Sequence, residues 1–73
     1  MLIKQHLTVT LLCANAASYI VGRFDLAIPG EEDETWSIVL HRTDWATFLW
    51  TLTHAPREFM VVKIKGEELL NAD

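Results

Sequence analysis

Three histidines and one cysteine, His6, His41, His54 and Cys13, are the side chains in this sequence best suited to ligate a metal or to share the roles of nucleophile and base. Their spacing supports neither. Zinc is held by four closely organised ligands, and the sequence contains no Cys-x-x-Cys or His-Glu-x-x-His pair to begin such a set. A Gly-rich phosphate loop and a Gly-x-Ser-x-Gly elbow are also missing. His41, Arg42 and Asp44 form an acid–base group in sequence, but a helix cap with a surface ion pair explains them more simply. Cys13 alternates with Leu7, Val9 and Leu11 and reads as a small buried hydrophobe. The run Glu31, Glu32, Asp33 and Glu34 lacks the alternating Asp/Asn and Gly pattern of a calcium loop. No catalytic residue, cofactor site or metal site is assigned, and a small enzymatic or metal-binding domain is the remotest reading.

Charge and size narrow the classes that remain. Ten acidic against six basic residues give a net charge of −4, which opposes attraction to phosphate backbones and anionic lipid. Nucleic acid and membrane are not expected as direct partners, whereas a basic protein surface is complementary. Seventy-three residues allow one small core, and a lone cysteine cannot bridge it, so oligomerisation or a partner is the expected source of extra stability. Lys4, the apolar run from Leu7 to Ala14 and the Ala14-Asn15-Ala16 triplet imitate a secretion signal. His6, Thr8 and Thr10 recur at every second position, however, which is strand patterning, and Leu12 stands where a lipoprotein signal needs a small residue. No apolar stretch approaches the roughly 20 residues that span a bilayer. The expected compartment is the cytoplasm, where one unpaired Cys is at home.

Hydrophobic alternation sets out the elements. Leu7 to Cys13 alternates as a first strand, and Tyr19 to Ile28 as a second with Ile20, Phe24, Leu26 and Ile28 on one face. Gly22 shares that face and marks either a bulge or the close approach of a helix. Pro29-Gly30 and the four acidic residues after it form a solvated connection to a third strand, Trp36 to His41. Thr43 and Asp44 then cap a helix whose apolar stripe is Trp45, Phe48, Leu49 and Leu52, ending near His54 because Pro56 disfavours helical geometry at Ala55. Phe59 to Lys65 is a fourth strand. The expected fold is α+β, a small four-stranded, mainly antiparallel sheet with one amphipathic helix on one face in the order β-β-β-α-β. Residues 1–66 make a single domain and 67–73 a short C-terminal tail. The crossover through the helix suggests that strand four lies parallel to strand three, beside strand one.

One helix covers one sheet face. The other would carry Leu12, Tyr19, Val21, Val39, Phe59 and Val61, and of these Tyr19, Val21, Val39, Phe59 and Val61 are the candidate self-association residues. The bland alternative is that twist, bulges and the stems of Lys and Arg disperse and shield them. Trp50 lies about 150° around the helix from the apolar stripe, with Thr47 one turn before and His54 one turn after. An exposed Trp is the side chain most enriched in binding hot spots, so Thr47, Trp50 and His54 form the best candidate partner surface, unless Leu69 and Leu70 of the tail fold over Trp50. Glu31, Glu32, Asp33 and Glu34 add either a solvated loop or an electrostatic steering patch.

These features point to a non-catalytic protein–protein interaction module, self-associating as a homodimer and masking a basic surface of a larger protein. Small acidic inhibitors of nucleic-acid-binding defence complexes in phages and mobile elements act in this way. An antitoxin or immunity subunit, and a structural subunit of a larger assembly, are the competing classes.

Overall fold

A computed structural model of the chain describes residues 4–15, 18–55, 58 and 60–71. Its elements are β1 (Gln5–Asn15), β2 (Tyr19–Ala27), β3 (Glu34–His41), α1 (Arg42–His54), β4 (Met60–Lys65) and a terminal 3-10 turn, Glu67–Asn71. The four strands form one sheet in the order β3-β2-β1-β4, antiparallel except for the β1–β4 pair. This is the expected β-β-β-α-β arrangement. The crossover through α1 returns the chain beside β1, so β4 runs in the same direction as β1 and β3. Phe59, expected to begin the fourth strand, lies outside the described residues.

The core sits between the sheet and α1. Leu7, Val9 and Leu11 of β1, Ile20 and Phe24 of β2, and Trp45 and Leu49 of α1 are its buried members. Trp45 is its centre. The indole is wholly buried, its Nε1–H donates to the Ile20 carbonyl at 2.8 Å, and it lies directly over Gly22. A Cβ at Gly22 would stand 2.3 Å from the Trp45 ring, so the absence of a side chain there is what lets the helix approach. Phe24 joins the two layers: its ring contacts Trp45 and Phe48 of the helix, and Trp36 stacks on it at 5.4 Å and 8°. The terminal turn completes this face by packing Leu69 and Leu70 against the core.

One boundary of the helix differs from expectation and the other agrees with it. The helix begins at Arg42, and its N-cap is His41 rather than Thr43. The imidazole Nδ1 of His41 accepts the Thr43 amide at 3.2 Å, the position that a Ser or Asp oxygen usually takes. At the other end Ala55, which precedes Pro56, is extended (ψ 149°), as a residue before proline should be.

Cys13 is also not buried. The β1–β2 register shifts between Leu11, paired with Gly22, and Cys13, paired with Val21. Leu12 is the extra residue of this bulge, and the insertion reverses the phase of everything after it. Cys13 thereby leaves the Leu7, Val9 and Leu11 face and becomes exposed. The native protein is expected to react with a thiol reagent at close to the rate of the chain in denaturant. Reaction only after unfolding would show that the alternation runs unbroken through Leu12.

Candidate functional site

The β2–β3 connection is built by a reverse turn in which the Glu31 amide donates to the Ile28 carbonyl at 3.0 Å. Pro29 and Gly30 occupy its central positions, and Gly30 has φ 87°, the combination of a type II turn. Glu31, Glu32, Asp33 and Glu34 follow, all exposed, with Glu34 already paired to Leu26 as the first residue of β3. They are joined to the end of β3 opposite α1, and none of them lines the groove described below.

The uncovered sheet face is divided. Ser37, Arg23, Thr10 and Lys65 lie across the four strands in one row, and Thr35, Asp25, Thr8 and Lys63 in the next row on this face. This polar band is cross-linked: Asp25 accepts the Thr35 hydroxyl at 2.8 Å and the Arg23 Nε–H at 3.1 Å. The Thr35 hydroxyl is the leading reason that the Asp25 carboxyl is held below its ordinary value of 3.8. Desolvation opposes it, and Arg23 and Lys65 reinforce it. A carboxylate with a lowered folded pKa contributes stability that is present above its unfolded pKa and lost as pH falls through the folded one. Thr35→Val is therefore expected to move Asp25 upward toward 3.8, so that this contribution fades at a higher pH, as a carboxyl carbon NMR titration would read. An unchanged titration would mean that the hydrogen bond does not persist in solution.

On one side of the band Tyr19, Val21 and Val39 gather with Cys13, and the bulge residue Leu12 is also exposed. On the other side Val61 stands with His6 and Ala27. The expected self-association set is thus not one patch: Tyr19, Val21 and Val39 share an end of the face, Val61 is separated from them by the two polar rows, and Phe59 lies outside the described residues. Strand alternation assigns residues to a face, whereas only the register shows which rows adjoin.

The back of α1 carries the more organised site. Trp50 is 63% exposed, and the His54 ring stacks on its indole with centroids 4.0 Å apart and planes at 18°. The His54 Nδ1–H donates to the Trp50 carbonyl at 2.8 Å, which fixes the imidazole and through it the indole. Beside this pair runs a groove of about 250 Å³ between α1 and the terminal turn, lined by Ala46, Leu49, Trp50, Thr53, His54, Glu67 and Leu70. The tail does approach Trp50, but it forms the far wall of a groove and leaves the indole uncovered. Thr47 is exposed and lies outside this lining, its hydroxyl donating to the Thr43 carbonyl at 3.2 Å.

Trp50 and His54 were expected here, and Leu70 was named as a possible cover for Trp50, whereas Ala46, Thr53 and Glu67 were not expected. Ala46 and Thr53 could have been found, because they stand four before and three after Trp50 on the same helical strip. Glu67 could not, since its place, like the wall that Leu70 forms, depends on how the chain turns after Gly66. That turn is tight: Gly66 has φ 84°, and a Cβ there would meet the Leu11 carbonyl oxygen at 2.3 Å.

Among the described residues no three His, Cys, Asp or Glu side chains gather closely enough to share a metal ion, and no helix is long and apolar enough to cross a membrane. The fold and site together define a small α+β domain with a pre-set aromatic groove on its helix. Comparison with family models, with curated proteins and with solved structures gives no match.

Proposed function

We propose that this chain is a non-catalytic binding module whose α1 groove grips a basic side chain on the surface of a larger protein. The carrying observation is the groove itself, an apolar trough with an exposed, braced indole on one wall and the carboxylate residue Glu67 on the other. A Lys or Arg side chain has an apolar stem and a cationic tip. It gains from all three features, by burial of the stem, attraction to an aromatic ring, and pairing with a carboxylate. The bracing matters because a side chain already held in place loses little conformational freedom on binding. The net charge of −4 and the exposed Glu31 to Glu34 run favour encounter with a basic surface over a distance.

The test uses dye-labelled hexa-arginine and hexa-glutamate peptides, with binding followed by fluorescence anisotropy. Hexa-arginine should bind and hexa-glutamate should not, and Glu67→Gln should weaken the arginine peptide several-fold. Equal binding of both peptides, or of neither, would remove this reading. Replacing Glu31, Glu32, Asp33 and Glu34 with their amides is expected mainly to slow association and to flatten its salt dependence, measured by stopped flow. Rates indifferent to that change would make the loop a spacer.

A further inference from the structure

The two edges of the sheet are built differently. β4 carries Lys63 and Lys65, the charged residues that commonly guard an edge against further pairing. β3, the opposite edge, has eight residues and contains no Lys, Arg, Pro or Gly, and its pairing with β2 shows no bulge. None of the usual devices against edge pairing is present along it except Glu34 at its first position.

The hydrogen-bond phase of that edge can be read from one contact. The Arg42 amide donates to the Ser18 carbonyl at 2.7 Å, next to the Tyr19–His41 pair. In an antiparallel ladder, residues bonded to the neighbour alternate with residues whose amide and carbonyl point away. With Arg42 bonded inward and the register unbroken, the even-numbered residues of β3 face β2. Thr35, Ser37 and Val39 therefore direct their N–H and C=O groups outward, and His41 directs its N–H outward, while its C=O, as that of the N-cap, serves the first turn of α1.

We propose that β3 pairs antiparallel with β3 of a second copy of this chain about a two-fold axis at Ile38, joining two sheets into one of eight strands. In this register Ser37 and Val39 exchange both bonds, and the His41 N–H of each copy reaches the Thr35 carbonyl of the other. The register sets Ile38 against Ile38 and Trp36 against Leu40 on the helix-bearing face. Trp36 is 42% exposed at this edge in the single chain, and Ile38 and Leu40 are only partly buried. It also carries the carboxylate of Glu34 in each copy to the Arg42 end of the other, so the edge is complementary to itself in charge as well as in hydrogen bonding. A chain with seven buried core residues among those described and no disulfide gains from this extension what its size denies it. The contact is isologous and closed, which limits assembly to two copies. Because the α1 groove opens toward the terminal turn, and that turn packs on β1, the pairing leaves both grooves accessible.

Light scattering coupled to size exclusion should give the mass of two 8.3 kDa chains at high concentration. Ser37→Pro removes an outward amide without removing a β2 bond, and should raise the dimer dissociation constant at least about tenfold, the equivalent of about 1.4 kcal/mol. Val21→Lys charges the open face on an interior strand and should leave dimerisation unchanged. A monomer at every concentration, or a dimer lost in Val21→Lys and kept in Ser37→Pro, overturns the proposal. Hydrogen exchange of the unmodified protein is independent of how the proline variant folds. The amides of Ser37, Val39 and His41 should slow as concentration rises, while those of Trp36, Ile38 and Leu40 do not respond. Concentration-independent exchange at those three residues would also overturn it.

Discussion

Trp45→Ala is expected to unfold the domain or to lower its melting temperature by at least about 15 °C. Truncating a buried Trp costs about 3–5 kcal/mol, and in a domain of this size each kcal/mol moves the midpoint by about 4–8 °C. A chain of this length has only about 4–11 kcal/mol of stability in total. The loss should lie at the upper end of the range, because Trp45 is wholly buried, packs against Phe24 and Phe48, and donates to the Ile20 carbonyl. Gly22→Ala attacks the same contact from the sheet side. Its new methyl group must displace the Trp45 ring, an overpacking cost of about 1–3 kcal/mol. Thermal denaturation followed by circular dichroism checks both. A Trp45→Ala protein melting within a few degrees of the parent would mean that the helix is not seated on Gly22.

Trp50→Ala, the same substitution five residues later, should have the opposite signature. Its indole is mostly exposed, and the stack on His54 is a contact between helix positions four apart, worth about 0.2–0.5 kcal/mol. Alanine's higher helix propensity offsets much of that loss. The melting temperature should shift by less than about 4 °C. Binding should suffer instead: removal of a hot-spot Trp costs about 2 kcal/mol or more, roughly a thirtyfold loss of affinity for hexa-arginine. Calorimetric melting and peptide titration on the same preparation separate the two effects. A large fall in stability would make Trp50 part of the core, and unchanged peptide affinity would remove it from the binding surface.

The contrast between these two tryptophans was legible in the sequence, because a helix of known start and period assigns each residue to a face. Trp45, Phe48, Leu49 and Leu52 fell on the buried stripe and Trp50 opposite them. Strand alternation served equally well for β2, where Ile20, Gly22, Phe24 and Leu26 all face inward, and for β4. Periodicity failed where one inserted residue changed its phase. Leu12 as a bulge cannot be told from Leu12 as a regular strand residue until the pairing with β2 is known, and Cys13 was misplaced for that reason. The N-cap failed on chemistry rather than on phase. A histidine ring performed a task that side-chain oxygens usually perform, and Thr43 supplied the capped amide instead of the cap. The groove was half legible. Its helical wall follows from the spacing around Trp50, while its Glu67 and Leu70 wall exists only because the chain after Gly66 folds back against the helix.

The most direct measurement is an amide and indole NMR spectrum of the protein titrated with hexa-arginine, since it reports where the peptide sits. The expected result is a set of shifts at the Trp50 indole and at the Ala46, Thr53, His54, Glu67 and Leu70 amides, saturating together, with the Trp45 indole unmoved. Shifts confined to Glu31, Glu32, Asp33 and Glu34, or spread without saturation over the whole surface, would contradict a binding site on the helix and leave only diffuse attraction between opposite charges.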